Sequence, residues 1–399
     1  MEDSICPFVF FNGGMKRRKR VWGAVVLLTL CLAACGKGED TTKEVAQMPG
    51  FAKMAGSIGP ESADGGVYVF SWNPEGAFLY YWNFKDDISV PLCNKANCMH
   101  ADETCNAWFH DPDVATLQRY GNKLYLWCGF RSFSLYSENL DGTGREKVCT
   151  FSSDDKIPQW ISSAVFAGKY CYLNVSFGQD RAGSDVKGLY QVDSKTGKAK
   201  LIRMNNEEPG WKEYRMEDVV YDNGMVYYVI QQYRTGEARS LLYRYNEESG
   251  EDTLLYDVND IISEFVAGNK LYYTKEYEEN AKETLFVVDL ETGQERELSV
   301  PHVGGLTYDG KWMYIAKVKE DNGMVCTVCD LDGNVIAQIE DGFEQDSTNT
   351  TAYSTTTDQI VFFRQSFKDD NTTVTRYHVI EKSDIGKDPI PYHEITIEN

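Results

Sequence analysis

Gly268-Asn-Lys-Leu-Tyr-Tyr273, followed by Leu285-Phe-Val-Val-Asp-Leu-Glu-Thr-Gly293, is the stretch from which the fold can be read. The pair Gly268-Asn269 opens a run in which Leu271 and Tyr273 alternate with Tyr272 and Thr274, the period-two pattern of a strand with two different faces. The second phrase repeats that logic and ends in Glu291-Thr292-Gly293, residues that tolerate the positive φ of a tight turn. Strands are expected over 264–267, 270–275, 284–289 and 295–300. Outward from this repeat, the first phrase recurs with strand starts at Val67, Leu124, Cys171, Val226, Leu271, Trp312 and Ile360, spaced by 41 to 57 residues. Two hairpins per repeat at this period predict four-stranded antiparallel blades, and seven copies predict an all-β, seven-bladed β-propeller. Six or eight blades fit the same pattern, because no inner strand is legible before Asp64. Residues 51–59 are candidates to complete the first blade or to close the ring through the last.

The 399 residues are 42% apolar and 13% aromatic, ample material for a large core. Forty basic residues against 61 acidic ones give a net charge of −21. That balance argues against nucleic acid as a partner, since phosphate binding needs a basic surface. The basic residues are unevenly placed. Lys16, Arg17, Arg18, Lys19 and Arg20 stand directly before the apolar run 21–32, the charged and apolar regions of a secretory signal. The run ends in Leu32-Ala33-Ala34-Cys35, which resembles the lipobox of bacterial lipoproteins. The resemblance implies that residues 1–34 are removed and that the Cys35 thiol is acylated, placing the chain on the outer, extracytoplasmic face of the cell membrane. Residues 1–14 fit no signal pattern, and Met15 reads as the natural start. Residues 35–60 read as a flexible tether, and 61–399 as the propeller with a cysteine-rich insertion at 93–107.

Because consecutive strands are antiparallel, the connections from first to second strand and from third to fourth lie on one face of the ring. The remaining connections lie on the other, and length variation concentrates there: 93–116, 150–159, 177–187, 203–215 and 232–239. Variable loops on a rigid scaffold are where binding residues gather. Trp108, Phe109, Trp160, Trp211 and Tyr214 are the aromatic candidates for ligand contact on that face, with packing onto the blade edges as the plainer reading.

Cys93-x4-Cys98-x-His100-x4-Cys105 is the dense ligand constellation of the chain. Three thiolates and an imidazole suffice for tetrahedral, structural zinc; oxidation to a disulfide, with Cys128 or Cys149 as partner for a leftover thiol, is the alternative in an exported protein. Cys326-x2-Cys329 lies within one predicted strand, so its side chains point to opposite faces and cannot share a metal. Cys171 likewise reads as core. No Gly-x-Ser-x-Gly or His-Glu-x-x-His sequence is present. The carboxylates Asp111, Asp113, Asp180, Asp185, Glu207 and Glu208 on the variable face offer material for a glycoside-cleaving pair; His110 and His302 fall in loops of that face and His378 in a strand.

The segment Ser134-Leu-Tyr-Ser-Glu-Asn-Leu-Asp-Gly-Thr-Gly-Arg-Glu-Lys-Val148 resembles the hairpin of the YWTD-type propellers of lipoprotein receptors, and Lys270-Leu-Tyr-Tyr-Thr274 is a weaker echo of their naming motif. The Trp-Thr-Asp core of that motif is absent here, so the resemblance implies the fold and the Asp141-Gly142 turn but no ligand. Over its length the chain resembles the propeller lipoproteins of anaerobic Firmicutes, which carry a Leu-Cys…Cys-x-His…Cys-Asn-Ala insertion like that at 92–107. The expectation is a membrane-anchored module that binds a glycan, peptide or envelope protein. The alternative is a polysaccharide hydrolase or lyase using the loop carboxylates, and a third reading is a structural partner within an envelope complex.

Overall fold

A computed structural model describes residues 60–398 apart from 74–75, 101, 110–113, 130, 154–156, 181–182, 184, 207–209, 212, 277–283, 301–303, 320–321, 344–350, 357 and 368–372. Seven sheets follow one another along the chain, each built from consecutive antiparallel strands. Blade 1 comprises Glu61–Ala63, Gly66–Asn73, Gly76–Asn83 and Ile88–Pro91, with Trp108–Phe109 as an added segment; blade 2 comprises Val114–Tyr120, Lys123–Cys128, Ser134–Asn139 and Glu146–Thr150. Blade 3 is Trp160–Ala167, Tyr170–Gln179, Asp185–Asp193 and Ala199–Met204; blade 4 is Glu213–Asp222, Met225–Arg234, Glu237–Asn246 and Asp252–Val258. Blade 5 is Ile261–Ala267, Lys270–Glu276, Leu285–Asp289 and Glu295–Leu298; blade 6 is Gly305–Tyr308, Met313–Val318, Met324–Cys329 and Val335–Glu340; blade 7 is Thr351–Thr355, Gln359–Phe367, Thr373–Glu381 and His393–Glu398. The fold is an all-β, seven-bladed propeller. A single 3-10 turn, Lys382–Asp384, is the helical element among the described residues, and no helix there is long and apolar enough to cross a membrane.

Period-two alternation along the second strand of each blade builds the core, because one strand feeds two junctions. Val67, Leu124, Cys171, Val226, Leu271, Met313 and Ile360 face the preceding blade, while the next residue along faces the following one. That next residue is tyrosine in six blades: Tyr68, Tyr125, Tyr172, Tyr227, Tyr272 and Tyr314. Burying one such ring contributes about 2 kcal/mol. Blade 6 corrects the sequence reading by one residue. Met313, not Trp312, occupies the strand start, because the turn before it spans 309–312 where blade 4 needs only Asn223-Gly224. Asp309 holds the longer turn: its Oδ1 accepts the N–H groups of Lys311 and Trp312 at 2.8 and 2.7 Å. Cys326 and Cys329 fall in different junctions, between blades 6 and 7 and between blades 5 and 6, as opposite faces of one strand require.

The ring closes by packing, with no strand exchanged between the first and last blades among the described residues. Val361, Tyr377, Val379 and Ile395 of blade 7 pack on Val67, Val69 and Trp82 of blade 1. The Ser62 hydroxyl donates to Gln359 Oε1 at 2.8 Å and accepts from the Asp358 N–H at 3.0 Å. The inner strand of blade 1 is the short Glu61–Ala63, and residues 51–59 lie outside the described residues.

Turns between third and fourth strands seat on the blade before them. Gly142, at φ 75°, lies so close to blade 1 that a Cβ there would meet the Leu92 carbonyl oxygen at 2.1 Å; Gly197, at φ 73°, sits against the Thr150 carbonyl at 1.9 Å in the same sense. Glycine is required at both on two counts, the left-handed backbone and the close approach.

Candidate functional site

Two regions carry side chains beyond what the sheets need. The first is the rim bearing the second-to-third-strand connections of blades 3 and 4. The connection expected over 232–239 is no irregular loop. Strands run unbroken to Arg234 and from Glu237, leaving Thr235-Gly236 as the turn, with Gly236 at φ 77°. Pairing to the tip is possible because this segment alternates without a proline, so every ladder position is filled. In blade 3 the strands likewise reach Gln179 and resume at Asp185.

This rigid hairpin places the Arg234 and Arg239 guanidinium groups 4.7 and 4.6 Å from the centre of the Trp211 ring, which precedes the inner strand of blade 4. Arg234 is further held by Glu237, and Arg239 by Gln232 at 2.9 Å and Asp257 at 3.3 Å. Arg215 stands 5.2 Å from the Tyr233 ring on the same blade. Trp160, first residue of the inner strand of blade 3, is 42% exposed. Tyr214 is buried, its hydroxyl donating to the Trp211 carbonyl at 2.7 Å. Trp108 and Phe109 are buried as well, packed edge-on to Phe78 and Phe70 at 4.7 and 5.6 Å. Of the five aromatic candidates, Trp160 and the half-buried Trp211 therefore reach solvent, and the other three are packing residues. The arginines were not legible as site residues, because their contact with Trp211 depends on the exact length of a hairpin.

Among the carboxylates, Asp185 accepts from Ser176 Oγ at 2.5 Å and lies 3.7 Å from Lys187. Asp111, Asp113, Glu207, Glu208, His110 and His302 lie outside the described residues, as does Cys35. His378 lies in a blade 7 strand, as expected, with Nδ1 2.7 Å from the Asp341 carbonyl oxygen.

The second region is the cysteine insertion. It interrupts the outer strand of blade 1. Ile88–Pro91 pairs with 80–83, Leu79 accepts from the Leu92 N–H at 2.8 Å and donates to the Ala107 carbonyl at 2.9 Å, and Trp108–Phe109 completes the pairing with 77–78. Residues 93–106 thus leave the sheet after one rung and return at the next. Within the excursion, the Sγ atoms of Cys93, Cys98 and Cys105 and a ring nitrogen of His100 all lie within 4.8 Å of one another, with His100 Nδ1 3.2 Å from Cys105 Sγ. Two turns of one kind present the first and last thiols: Cys93 Sγ accepts from the Lys95 N–H, and Cys105 Sγ accepts from the Ala107 N–H at 3.3 Å. Burial disfavours the Cys93 thiolate, yet the N–H groups of Lys95 and Asn106 hold the thiol below its ordinary range. Burial pushes Cys105 up to about 12. Asn97 and His100 adopt left-handed backbone at φ 60° and 49°, turning Cys98 and the imidazole toward the other thiols.

Arg145 of blade 2 grips the returning end of the excursion. Its Nη1 donates to the Trp108 carbonyl at 2.6 Å, its Nη2 to the Asn106 carbonyl, and its Nε to Glu138 Oε2 at 2.7 Å, while the guanidinium lies 3.6 Å from the centre of the Phe109 ring. Glu138 is fully buried, and desolvation pushes its carboxyl above the ordinary range in spite of Arg145. Glu138 and Arg145 belong to the hairpin that resembles the YWTD type.

No protein-family profile matches the chain, and no curated protein does. Solved structures do. The chain is similar to a prolyl endopeptidase at 14% identity and TM-score 0.53, covering 88% of this chain and 50% of the other. It is similar to the β-propeller domain of the Trilobed protease from Pyrococcus furiosus at 9% identity and TM-score 0.48, covering 87% and 97%. A third is oligogalacturonate lyase from Vibrio parahaemolyticus, at 11% identity and TM-score 0.47, covering 78% and 87%. The chain spans half the length of the prolyl endopeptidase. At 14% identity the likeness to the prolyl endopeptidase speaks for the fold alone, since one fold hosts many activities.

Proposed function

We propose that this chain is a lipid-anchored, extracytoplasmic binding protein whose propeller captures an acidic glycan or peptide on the rim of blades 3 and 4. The observation that carries the reading is the Trp211 ring beneath Arg234 and Arg239 at the tip of a hairpin that is strand to its turn. Guanidinium groups fixed over an indole offer planar, forked donors matched to carboxylates, and the aromatic face adds stacking area. Because both strands are already ordered, little conformational entropy remains to be lost on binding. Arg234 and Arg239 are paired with Glu237 and Asp257, so an anionic ligand would share or replace these contacts, and Arg215 adds a third positive charge on the same blade. The anchor rests on the charged and apolar run before Cys35.

Two measurements test this reading. In detergent phase partition, the full chain expressed in a bacterial host enters the detergent phase and Cys35→Ala stays aqueous; equal partitioning refutes the anchor. On arrays of acidic and neutral glycans and peptides, the detergent-purified chain binds acidic members, and Arg234→Ala with Arg239→Ala weakens that binding about tenfold or more, the effect of removing a hot-spot residue. Unchanged binding in the double variant refutes the site. Turnover of a polysaccharide without retained binding favours the hydrolase or lyase reading.

A further inference from the structure

We propose that Cys93, Cys98, His100 and Cys105 bind one zinc ion, and that this ion closes the interruption in the outer strand of blade 1. The donor set argues for it first. Three thiolates and one imidazole suit a borderline-soft, tetrahedral cation. Metal–sulfur bonds of about 2.3 Å and metal–nitrogen bonds of about 2.0 Å give a tetrahedron with edges of about 3.5–3.8 Å. The four donor atoms, 3.2 Å apart at one contact and nowhere more than 4.8 Å, already bracket those edges.

The backbone argues for it next. N–H groups two residues beyond Cys93 and Cys105 donate to their sulfurs, the contact a backbone makes to a metal-bound sulfur. The excursion contributes Cys105 to a small cluster with Phe78, Ala107 and Trp108, with Cys93 and Cys98 against it. That cluster is too small to fix the fourteen-residue path of 93–106 by apolar burial alone. A disulfide is a poorer match. Three thiols converge, so any pair leaves the third behind, and Cys128 and Cys149 are buried in two other core clusters.

The role follows from the splice. Four protein ligands leave no open position for a substrate or water, so the site is structural. The ion holds Leu92 and Ala107 at adjacent rungs on Leu79, and thereby presents the Asn106 and Trp108 carbonyls to Arg145 of blade 2. Metal binding is then coupled to the junction between blades 1 and 2.

The experiment uses the detergent-purified full chain, isolated without added reductant and with its free thiols counted before any reduction. Elemental analysis finds about one zinc per chain, and exchange for cobalt gives a thiolate-to-cobalt charge-transfer band with tetrahedral visible bands. Cys98→Ser, at a partly exposed position, loses the metal, whereas His100→Cys retains it as a four-thiolate site. Amide exchange over 92–109 rises on chelation in the wild type and not in Cys98→Ser, which is already raised. Metal-free protein with two thiols oxidised would overturn the proposal in favour of a disulfide. Three free thiols that take neither zinc nor cobalt would overturn it outright, and chelation without faster exchange would remove the structural role.

Discussion

The junctions between blades 1 and 2 and between blades 3 and 4 use the same device in two ways. Each has an arginine stacked on an aromatic ring and paired with an acid at 2.7 Å: Arg145 over Phe109 with Glu138, and Arg203 over Tyr243 with Asp252. In the second junction the ion pair itself spans the gap, from the outer strand of blade 3 to that of blade 4. Both partners keep some solvent, with side chains 22% and 14% exposed, and the Tyr228 hydroxyl shares Asp252 at 2.7 and 2.8 Å. In the first, the acid belongs to the same blade as the arginine and has no exposure. What spans the gap there is a pair of backbone carbonyls. The difference teaches that where strands are long and apolar the charged pair is an addition, and where the strand is interrupted it becomes a structural support. Blades 3 and 4 share a cluster including Tyr172, Met216, Tyr221, Tyr228 and Tyr245, while blade 1 offers a three-residue inner strand and a split outer one.

The largest expected effect breaks the weaker junction. Arg145→Met leaves Glu138 buried and unpaired, a loss of about 3 kcal/mol read by denaturant unfolding. Arg145→Met combined with Glu138→Leu recovers most of it if the uncompensated carboxylate is the cost; a double variant no better than the single would place the loss in the carbonyl contacts instead. At the other junction Arg203→Met costs about 1 kcal/mol, because Asp252 keeps its bond from Tyr228 and meets solvent. Equal losses at the two sites would erase the contrast.

The smallest effect is a pH dependence. Burial, only partly offset by Arg145, raises the Glu138 carboxyl above its usual 4.5. A group with a raised folded-state value contributes stability that is full below its unfolded value and lost as pH rises through the folded one. Glu138→Gln, neutral at every pH, therefore gains stability relative to wild type as pH rises from about 4.5 toward neutrality. A difference that is flat, or runs the other way, would show that Arg145 fully offsets the desolvation.

The blades were legible because side-chain alternation and turn chemistry are local. Tyr272 beside Leu271 states which residue faces which neighbour, and Glu291-Thr292-Gly293 states where the hairpin reverses. Trp312 misled by one residue because Asp309 sustains a longer turn through its own backbone hydrogen bonds, which spacing does not reveal. The set of cysteines and His100 was also visible in the sequence. Its place within a strand was not, since Leu92 and Ala107 become neighbours only through Leu79. Trp108 and Phe109 sit in a segment that reads as a loop, and they turn inward because it rejoins the sheet.

The amino-acid order alone determined the all-β class, the repeated two-hairpin blade, the core-facing side of the second strand in six of the seven blades and the donor atoms of the cysteine cluster. These follow from periodicity and composition over a few residues. Tertiary structure alone decided the Arg145 clamp, the arginines over Trp211, the burial of Tyr214 and the splice in blade 1. Each of these brings together residues from different strands or blades, and such meetings depend on registers that no short stretch of sequence encodes.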